Sequence, residues 1–373
     1  MNNIGAVLTK QNGPFEIREW PVTAGPDDVV IEIELTGLCG SDLHVYRGEW
    51  VGASFPLLLG HENVGTVVRH PAGHRDVLGL PVREGDRVVM TTAYFGECGR
   101  CYECAELAAP WMCRYRTANS VLVDGRPVGL FGGGLARYLV LSPPESRTLF
   151  TTSVSASAAV LHEPLSVAVQ MVMGGPPLLG AEVVVQGTGA IGLLTVAVAK
   201  LGGAATVIAV GGPPERLKLA REMGADVTVD IAEVPDAEER GRIVREHTVG
   251  GHGADVAYEI AGVPSAVREG LTYLKPSGVL MEAGAAADVG EARFNPHLDL
   301  QRWRRQIIGV RGRTLRDFTI AGRLLERLGD SIAPLVSHRL PLHRTEDGLR
   351  SLGGAYTLDG EPVTKVTVSP SDQ

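Results

Sequence analysis

The sequence lacks the features by which nucleic-acid-binding proteins and membrane proteins are usually recognised. Its 373 residues carry 35 lysines and arginines against 43 aspartates and glutamates, so there is no basic excess to neutralise a phosphate backbone. The longest apolar stretches, such as 190–199, are interrupted by glycine or are too short to cross a bilayer. We therefore expect neither a nucleic-acid partner nor a membrane segment.

Nothing at the N-terminus of the sequence resembles a signal peptide. Residues 1–20 alternate polar and apolar side chains, without the basic start and the apolar run of a signal peptide. We therefore expect a cytoplasmic protein, a setting in which disulfides are uncommon.

Cysteine is scarce, and four of the five cysteines fall in one short segment. The intervals between them are two, two and eight residues, and the four are Cys98, Cys101, Cys104 and Cys113. Zinc binds four thiolates tetrahedrally, and close spacing keeps the entropic cost of wrapping one ion small. The spacing predicts a closed structural zinc site, with two disulfides as the alternative.

The fifth cysteine lies near other residue types that bind metals. Cys39 begins the sequence Cys-Gly-Ser-Asp-Leu-His, and Gly60 is followed by His61 and Glu62. A thiolate, an imidazole and a carboxylate form a set with fewer protein ligands, which leaves room for water or substrate. A second, open metal site can thus be proposed, although a lone cysteine is more often a small buried hydrophobe.

The pattern of predicted secondary structure changes near residue 180. Before it, alternating residues between turns predict short strands at 29–35, 65–68 and 86–90. After it, apolar strands and helices alternate, with strands predicted at 182–186, 206–210, 255–260 and 279–283 and helices at 191–201 and 215–223. This alternation predicts a parallel sheet covered on both faces.

Two domains suit a chain of this length, since 373 residues exceed one ordinary core. We place a nucleotide-binding unit at 165–311, inserted between two pieces of a β-rich unit, 1–164 and 312–373. The second piece is predicted to contain a helix at 318–328 and a strand at 363–368.

A glycine-rich loop follows the strand at 182–186 and opens the next helix. Its sequence is Gly187-Thr188-Gly189-Ala190-Ile191-Gly192. In a dinucleotide site the first glycine permits a tight turn, the second admits a pyrophosphate, and the third lets helix and strand pack closely. The loop therefore predicts dinucleotide binding, and Gly284, just after the strand at 279–283, is a further candidate contact.

The carboxylate that would bind the ribose hydroxyls of NAD is absent from its expected place. Gly211 stands there, at the end of the second strand of this unit, so no negative charge repels a 2′-phosphate. Arg216 is a candidate phosphate contact, or else lies along the adenine or in solvent. The choice between NAD and NADP stays open.

Together these motifs resemble the zinc-dependent medium-chain alcohol and polyol dehydrogenases over nearly the whole chain. The residues that carry the resemblance are Cys39-Gly40-Ser41-Asp42-Leu43-His44, Gly60-His61-Glu62, Gly85-Asp86-Arg87-Val88, the four cysteines, Glu163-Pro164-Leu165, the glycine loop and Gly224-Ala225-Asp226. The resemblance implies an α/β protein, with a Rossmann-type doubly wound parallel sheet inserted in a β-rich, GroES-like catalytic domain. It also implies homodimers or homotetramers and a small-molecule alcohol or carbonyl substrate.

The resemblance assigns roles to individual residues. Cys39, His61 and Glu62 would bind catalytic zinc, and Glu163 would be an alternate ligand or act through water. Ser41 would relay the substrate proton to His44, and Asp42 would hold the imidazole of a ligand.

Each role has a simpler alternative. Ser41 and Asp42 would cap a helix starting at Leu43, His44 would be an exposed helical histidine, and Glu163 would favour a helix N-terminus.

The expected chemistry is hydride transfer between a secondary alcohol and NAD or NADP. Zinc lowers the pKa of a bound alcohol, so that an alkoxide forms near neutral pH and hydride passes to the nicotinamide. The glutamates Glu62 and Glu163 resemble the polyol and sugar dehydrogenase branch, so we expect a polyol, a sugar or an amino alcohol as substrate. A non-catalytic nucleotide- and zinc-binding protein and a zinc-free quinone reductase are the alternatives.

Overall fold

The computed structural model describes residues 1–50, 53–91, 98–115, 120–143, 148–354 and 356–372. The chain divides into two compact units, one formed by 1–166 with 312–373 and the other by 167–311. In the described ranges no helix has both the length and the apolar character that crossing a membrane requires.

The strands of these ranges are numbered in chain order. They are β1 (Asn2–Leu8), β2 (Phe15–Pro21), β3 (Val29–Gly37), β4 (Leu57–Leu58), β5 (Glu62–Arg69), β6 (Arg87–Thr91), β7 (Ser120–Val123), β8 (Arg126–Leu130), β9 (Tyr138–Leu141), β10 (Leu149–Thr151), β11 (Glu182–Gln186), β12 (Thr206–Gly211), β13 (Val227–Asp230), β14 (Ala254–Glu259), β15 (Leu274–Glu282), β16 (Gln306–Gly309), β17 (Val336–Pro341), β18 (Thr357–Leu358), β19 (Glu361–Pro362) and β20 (Lys365–Ser369).

The α-helices are numbered in the same way. They are α1 (Gly40–Tyr46), α2 (Tyr102–Ala105), α3 (Ala156–Ala159), α4 (His162–Gly174), α5 (Ala190–Leu201), α6 (Pro214–Glu222), α7 (Ala237–Glu246), α8 (Pro264–Tyr273), α9 (Leu315–Leu328) and α10 (Thr345–Ser351). Short 3₁₀ or π segments lie at Pro110–Met112, Val249–Gly251, Pro296–Leu300, Gln301–Trp303, Gly329–Leu335 and Leu342–Arg344.

In the described residues the first unit has a two-stranded sheet, β18-β19, and two larger sheets. One has the order β2-β1-β4-β8-β7, and the other has the order β10-β6-β5-β3-β20-β17, with β9 also pairing with β3. In β3 the apolar residues are buried while Glu32 and Glu34 are only half-buried, the alternation expected of a strand with one face on a core. The pairing of β3 with β5 and β20 gathers residues distant in sequence at one end of this sheet.

The second unit is a parallel sheet of order β13-β12-β11-β14-β15-β16. Strand β11 is Glu-Val-Val-Val-Gln with all but its first residue buried, because helices cover both faces of such a sheet. The order reverses on either side of β11, which is the topology of a doubly wound nucleotide-binding fold. The predicted fold class is confirmed.

Candidate active site and metal centres

Three metal-binding side chains meet where β3 ends and β5 begins. Gly37 of β3 pairs with Glu62 of β5 in the antiparallel register, so Cys39 lies close to His61 and Glu62. One ligand atom from each of the three lies within 4.8 Å of the others. A thiolate, an imidazole and a carboxylate at this spacing fit a zinc ion with an open position.

Asp42 connects two of these residues. It is fully buried at the third position of α1, and its Oδ2 accepts the backbone N–H of Cys39 at 3.0 Å. Its Oδ1 lies 3.2 Å from Nδ1 of His61. A proton held on Nδ1 leaves Nε2 as the nitrogen that binds metal. The simpler prediction of a helix starting at Leu43 is wrong, because α1 begins at Gly40, yet Asp42 both caps α1 and orients His61.

The electrostatic surroundings of His61 favour positive charge. Burial lowers the pKa of His61, but the charge and hydrogen bond of Asp42, together with Cys39, outweigh burial and raise it well above its usual value. A bound cation at Nε2 would meet the same favourable potential.

Ser41 and His44 lie three residues apart on α1 and contact different partners. Ser41 Oγ is 3.3 Å from Nε2 of His61, which places the hydroxyl beside the metal-binding nitrogen. His44 Nδ1 is 2.6 Å from Oε2 of Glu49. Sequence reasoning missed Glu49, although its position five residues after His44 was a local signal. The proton relay through Ser41 and His44 stays a prediction.

Glu62 is buried against a lysine that the sequence gave no reason to select. Lys365 of β20 is 4% exposed, and its Nζ lies 2.5 Å from Oε1 of Glu62 and also contacts Oε2. Burial raises the pKa of Glu62, and the ammonium of Lys365 opposes that shift. Lys365 thus gives the buried carboxyl group of Glu62 a compensating positive charge.

Glu163 lies nearby but outside this group of three ligands. It is in the first turn of α4, 4% exposed, and forms an ion pair with Arg313. The charge of Glu163 contributes to raising the pKa of Glu62, so the two carboxylates interact electrostatically. The role of Glu163 as an alternate zinc ligand stays a prediction, and Arg313, like Glu49 and Lys365, is a residue that sequence reasoning missed.

The four clustered cysteines form a second group whose sulfurs lie within 4.8 Å of one another. Cys101 Sγ is 3.4 Å from Cys104 Sγ and 3.8 Å from Cys113 Sγ. Tetrahedral zinc with bonds of about 2.3 Å would hold sulfurs about 3.8 Å apart. All four cysteines are free, which argues against the disulfide alternative.

Backbone donors favour a thiolate at Cys98, whereas burial raises the pKa of the Cys101 and Cys104 thiols. The backbone N–H of Cys98 donates to Cys113 Sγ and that of Cys101 donates to Cys98 Sγ. The backbone N–H of Arg100 lowers the pKa of the Cys98 thiol to about 7. Zinc binds thiolates rather than thiols, so a zinc ion held here would itself supply the positive charge that keeps Cys101 and Cys104 deprotonated.

The glycine loop joins β11 to α5 in the arrangement that a pyrophosphate requires. A Cβ atom at Gly192 would lie 1.9 Å from the carbonyl oxygen of Gly187, and one at Gly187 would lie 2.8 Å from the Ala261 nitrogen. Gly189, by contrast, faces open space at the N-terminus of α5. Ala190 and Ile191 form the first turn of α5. The loop thus fits a dinucleotide phosphate at a helix N-terminus.

The remaining predicted cofactor residues lie in the same unit. Thr188 bonds the backbone of Gly212, next to Gly211 at the end of β12. Arg216 is buried in the first turn of α6. Gly284 packs against the backbone of Gly262. The contacts of Thr188, Gly211, Arg216 and Gly284 with a cofactor stay predictions.

Glu259, at the end of β14, supports the turn that packs on Gly187. It is 1% exposed, and its Oε1 accepts the backbone N–H groups of Ala261 and Gly262 at 2.7 and 3.1 Å. Burial raises the pKa of Glu259 to about 7, and the neighbouring Glu282 adds to this shift.

This shift predicts a pH-dependent stability that Glu259→Gln removes. The folded state binds the proton more tightly than the unfolded state, so stability falls as pH rises from about 4.5 to about 7. The free energy of unfolding of the parent should fall between pH 5 and pH 8. In Glu259→Gln that fall should be smaller by about 2–3 kcal/mol. Urea unfolding followed by circular dichroism measures the difference. The exposed Glu291→Gln is the control, and equal pH slopes in Glu259→Gln and the parent would contradict the prediction.

Comparisons with known proteins agree with this geometry. The family model described as alcohol dehydrogenase GroES-like domain matches residues 25–149, and the one described as zinc-binding dehydrogenase matches residues 190–327. The sorbitol dehydrogenase of Halalkalibacterium halodurans is 32% identical over 362 residues, covering 96% of this chain and 97% of the relative. The 5-exo-hydroxycamphor dehydrogenase of Pseudomonas putida is 31% identical over 356 residues, covering 92% and 94%.

Solved structures give the same result. An alcohol dehydrogenase from Thermotoga maritima superposes with a TM-score of 0.87 at 28% identity, with all of both chains covered. A zinc-binding dehydrogenase from Sinorhizobium meliloti 1021, solved with NADP, gives a TM-score of 0.78 at 26% identity, covering 99% of this chain and 100% of the other. The predicted family and enzyme class are confirmed, and the chain belongs to the zinc-dependent medium-chain dehydrogenase/reductase family of oxidoreductases.

Proposed function

We propose that the protein transfers hydride between a secondary alcohol of polyol, sugar or amino-alcohol type and a nicotinamide nucleotide, with catalytic zinc at Cys39, His61 and Glu62. The observation that carries the proposal is the convergence of these three ligands within 4.8 Å. Asp42 and Ser41, which contact the two ring nitrogens of His61, support it, because a purely structural metal site needs no hydroxyl beside a metal-binding nitrogen. The relative named as a sorbitol dehydrogenase supports a polyol substrate, and the relative named as a 5-exo-hydroxycamphor dehydrogenase supports an alcohol substrate more generally.

Zinc bound at this site would polarise the substrate oxygen and lower the pKa of an alcohol. Asp42 fixes the tautomer of His61 and holds its ring in place. Ser41, next to the metal-binding nitrogen of His61, would accept the substrate hydroxyl proton while it passes its own hydroxyl proton on. His44, hydrogen-bonded to Glu49, is the group through which that proton reaches solvent.

The second unit binds the cofactor. Backbone N–H groups at the start of α5 hold the pyrophosphate, and Gly189 leaves the approach open. The structure solved with NADP supports a nicotinamide nucleotide as the cofactor. The four cysteines hold a second, structural zinc. The protein assembles into homodimers or homotetramers.

Metal analysis combined with a substrate screen tests the function. We expect about two zinc ions per chain, and nicotinamide absorbance should change with at least one polyol, sugar or amino alcohol in the presence of NAD or NADP. Zinc-free protein with full activity would overturn the zinc assignment. Nucleotide binding without turnover of any alcohol or carbonyl compound would instead favour a non-catalytic binding protein.

A further inference from the structure

The side chain of Thr188 joins the glycine loop to the end of the neighbouring strand. Its Oγ1 accepts the backbone N–H of Gly212 at 3.0 Å and donates to the Gly212 carbonyl, also at 3.0 Å. Thr188 is 4% exposed. We call this pair of hydrogen bonds the Thr188 clasp.

The clasp fills the space in which a side chain at residue 211 would begin. A Cβ atom at Gly211 would lie 2.5 Å from Oγ1, 2.7 Å from Cγ2 and 3.1 Å from Cβ of Thr188. Real Cβ atoms essentially never show contacts under 3.0 Å, such as those with Oγ1 and Cγ2, and a threonine held by two hydrogen bonds does not change rotamer freely. Thr188 therefore leaves no space for a side chain larger than that of glycine at residue 211.

Position 211 is also where a carboxylate would discriminate between the two nicotinamide nucleotides. A carboxylate at the end of the second strand accepts hydrogen bonds from the ribose hydroxyls of NAD and repels the 2′-phosphate of NADP. The nearby Asp230, at the end of β13, is 9% exposed, and its Oδ1 accepts the backbone N–H of Ala232 at 2.8 Å. That oxygen caps the turn after β13.

We propose that Thr188 is a specificity-determining residue, which keeps a carboxylate out of position 211 by filling the space of its side chain, so that the protein binds NADPH at least as tightly as NADH. This inference rests on the proposed cofactor role of the glycine loop. The effects of substitutions at Thr188 and Gly211 should therefore be coupled. An aspartate at 211 fits only after Oγ1 and Cγ2 of Thr188 have been removed.

Equilibrium binding of NADH and NADPH to four proteins tests the coupling. These are the parent, Gly211→Asp, Thr188→Ala and the Thr188→Ala/Gly211→Asp double variant. We expect Gly211→Asp alone to weaken both nucleotides by about tenfold or more, because the new side chain displaces the loop. In the double variant NADH binding should recover, while NADPH binds at least about tenfold more weakly than NADH.

A valine variant separates the effect of space from the effect of the hydrogen bonds. Thr188→Val removes the clasp but keeps both branches, so Thr188→Val/Gly211→Asp should stay as weak as Gly211→Asp alone. Recovery of NADH binding in that variant would overturn the steric argument. The inference also fails if the parent binds NADH at least about tenfold more tightly than NADPH, or if Gly211→Asp alone switches preference as the double variant does.

The readout distinguishes this inference from the proposed function. The reduced nicotinamide is followed by its fluorescence on binding, with no substrate present and no dependence on zinc. If the parent binds neither nucleotide, the proposed function fails and this inference fails with it. If the parent binds nucleotide but the substitutions at 188 and 211 act independently, only the present inference is wrong.

Discussion

Replacement of Cys39 by serine is expected to lower turnover by about 10³-fold or more and to reduce the zinc content from about two ions per chain to about one. Serine does not supply the thiolate, and the remaining His61 and Glu62 are too few to hold zinc tightly. Loss of several kcal/mol of charge stabilisation at the substrate oxygen corresponds to a rate loss of that size. Zinc is measured by elemental analysis and turnover by nicotinamide absorbance.

Cys98→Ser is the matched control for this experiment. It should also remove about one zinc ion, but from the four-cysteine group, whose sulfurs are separate from the Cys39 site. Its expected effect is on the stability of the segment around 98–115. Wild-type turnover in Cys39→Ser, or retention of both zinc ions, would reject the assignment of Cys39.

Lys365→Met is expected to have the largest effect on stability. The substitution leaves the fully buried carboxylate of Glu62 without its ammonium partner. Breaking a buried ion pair from one side costs about 3–5 kcal/mol, because the other charge stays desolvated. We expect the free energy of unfolding of the metal-free protein to fall by that amount, and the Glu62→Gln/Lys365→Met double variant to recover most of it.

Tryptophan fluorescence during urea unfolding suits this measurement. Trp20, Trp50 and Trp111 belong to the first unit, which also contains Glu62 and Lys365. Lys218→Met removes the exposed, 3.9 Å pair with Glu222 and should change stability by no more than about 0.5 kcal/mol. Added zinc should stabilise Lys365→Met more than the parent, since the cation replaces the missing ammonium. Equal stability of Lys365→Met and Lys218→Met would contradict the argument.

Elements that depend on residues close together in the sequence could be predicted. Strand β11 is predicted to the residue at 182–186, because a run of valines between turn residues admits few other structures. The glycine loop and α5 follow from the same local pattern. Elements whose ends depend on pairing were predicted less well, since β15 begins at Leu274 and not at 279, and β5 begins at Glu62 and not at 65.

The sequence by itself determined the metal-binding residue types, their local spacing, the glycine loop and the alternation that makes a parallel sheet. These depend on backbone periodicity and on neighbours a few residues apart, which are visible in one dimension. Tertiary structure alone decided what surrounds them. Lys365 reaches Glu62 across 303 positions, Arg313 reaches Glu163 across 150, and Thr188 reaches Gly212 across 24. Strand pairing and close packing bring such groups together, so the charge and the space at each site are properties of the fold.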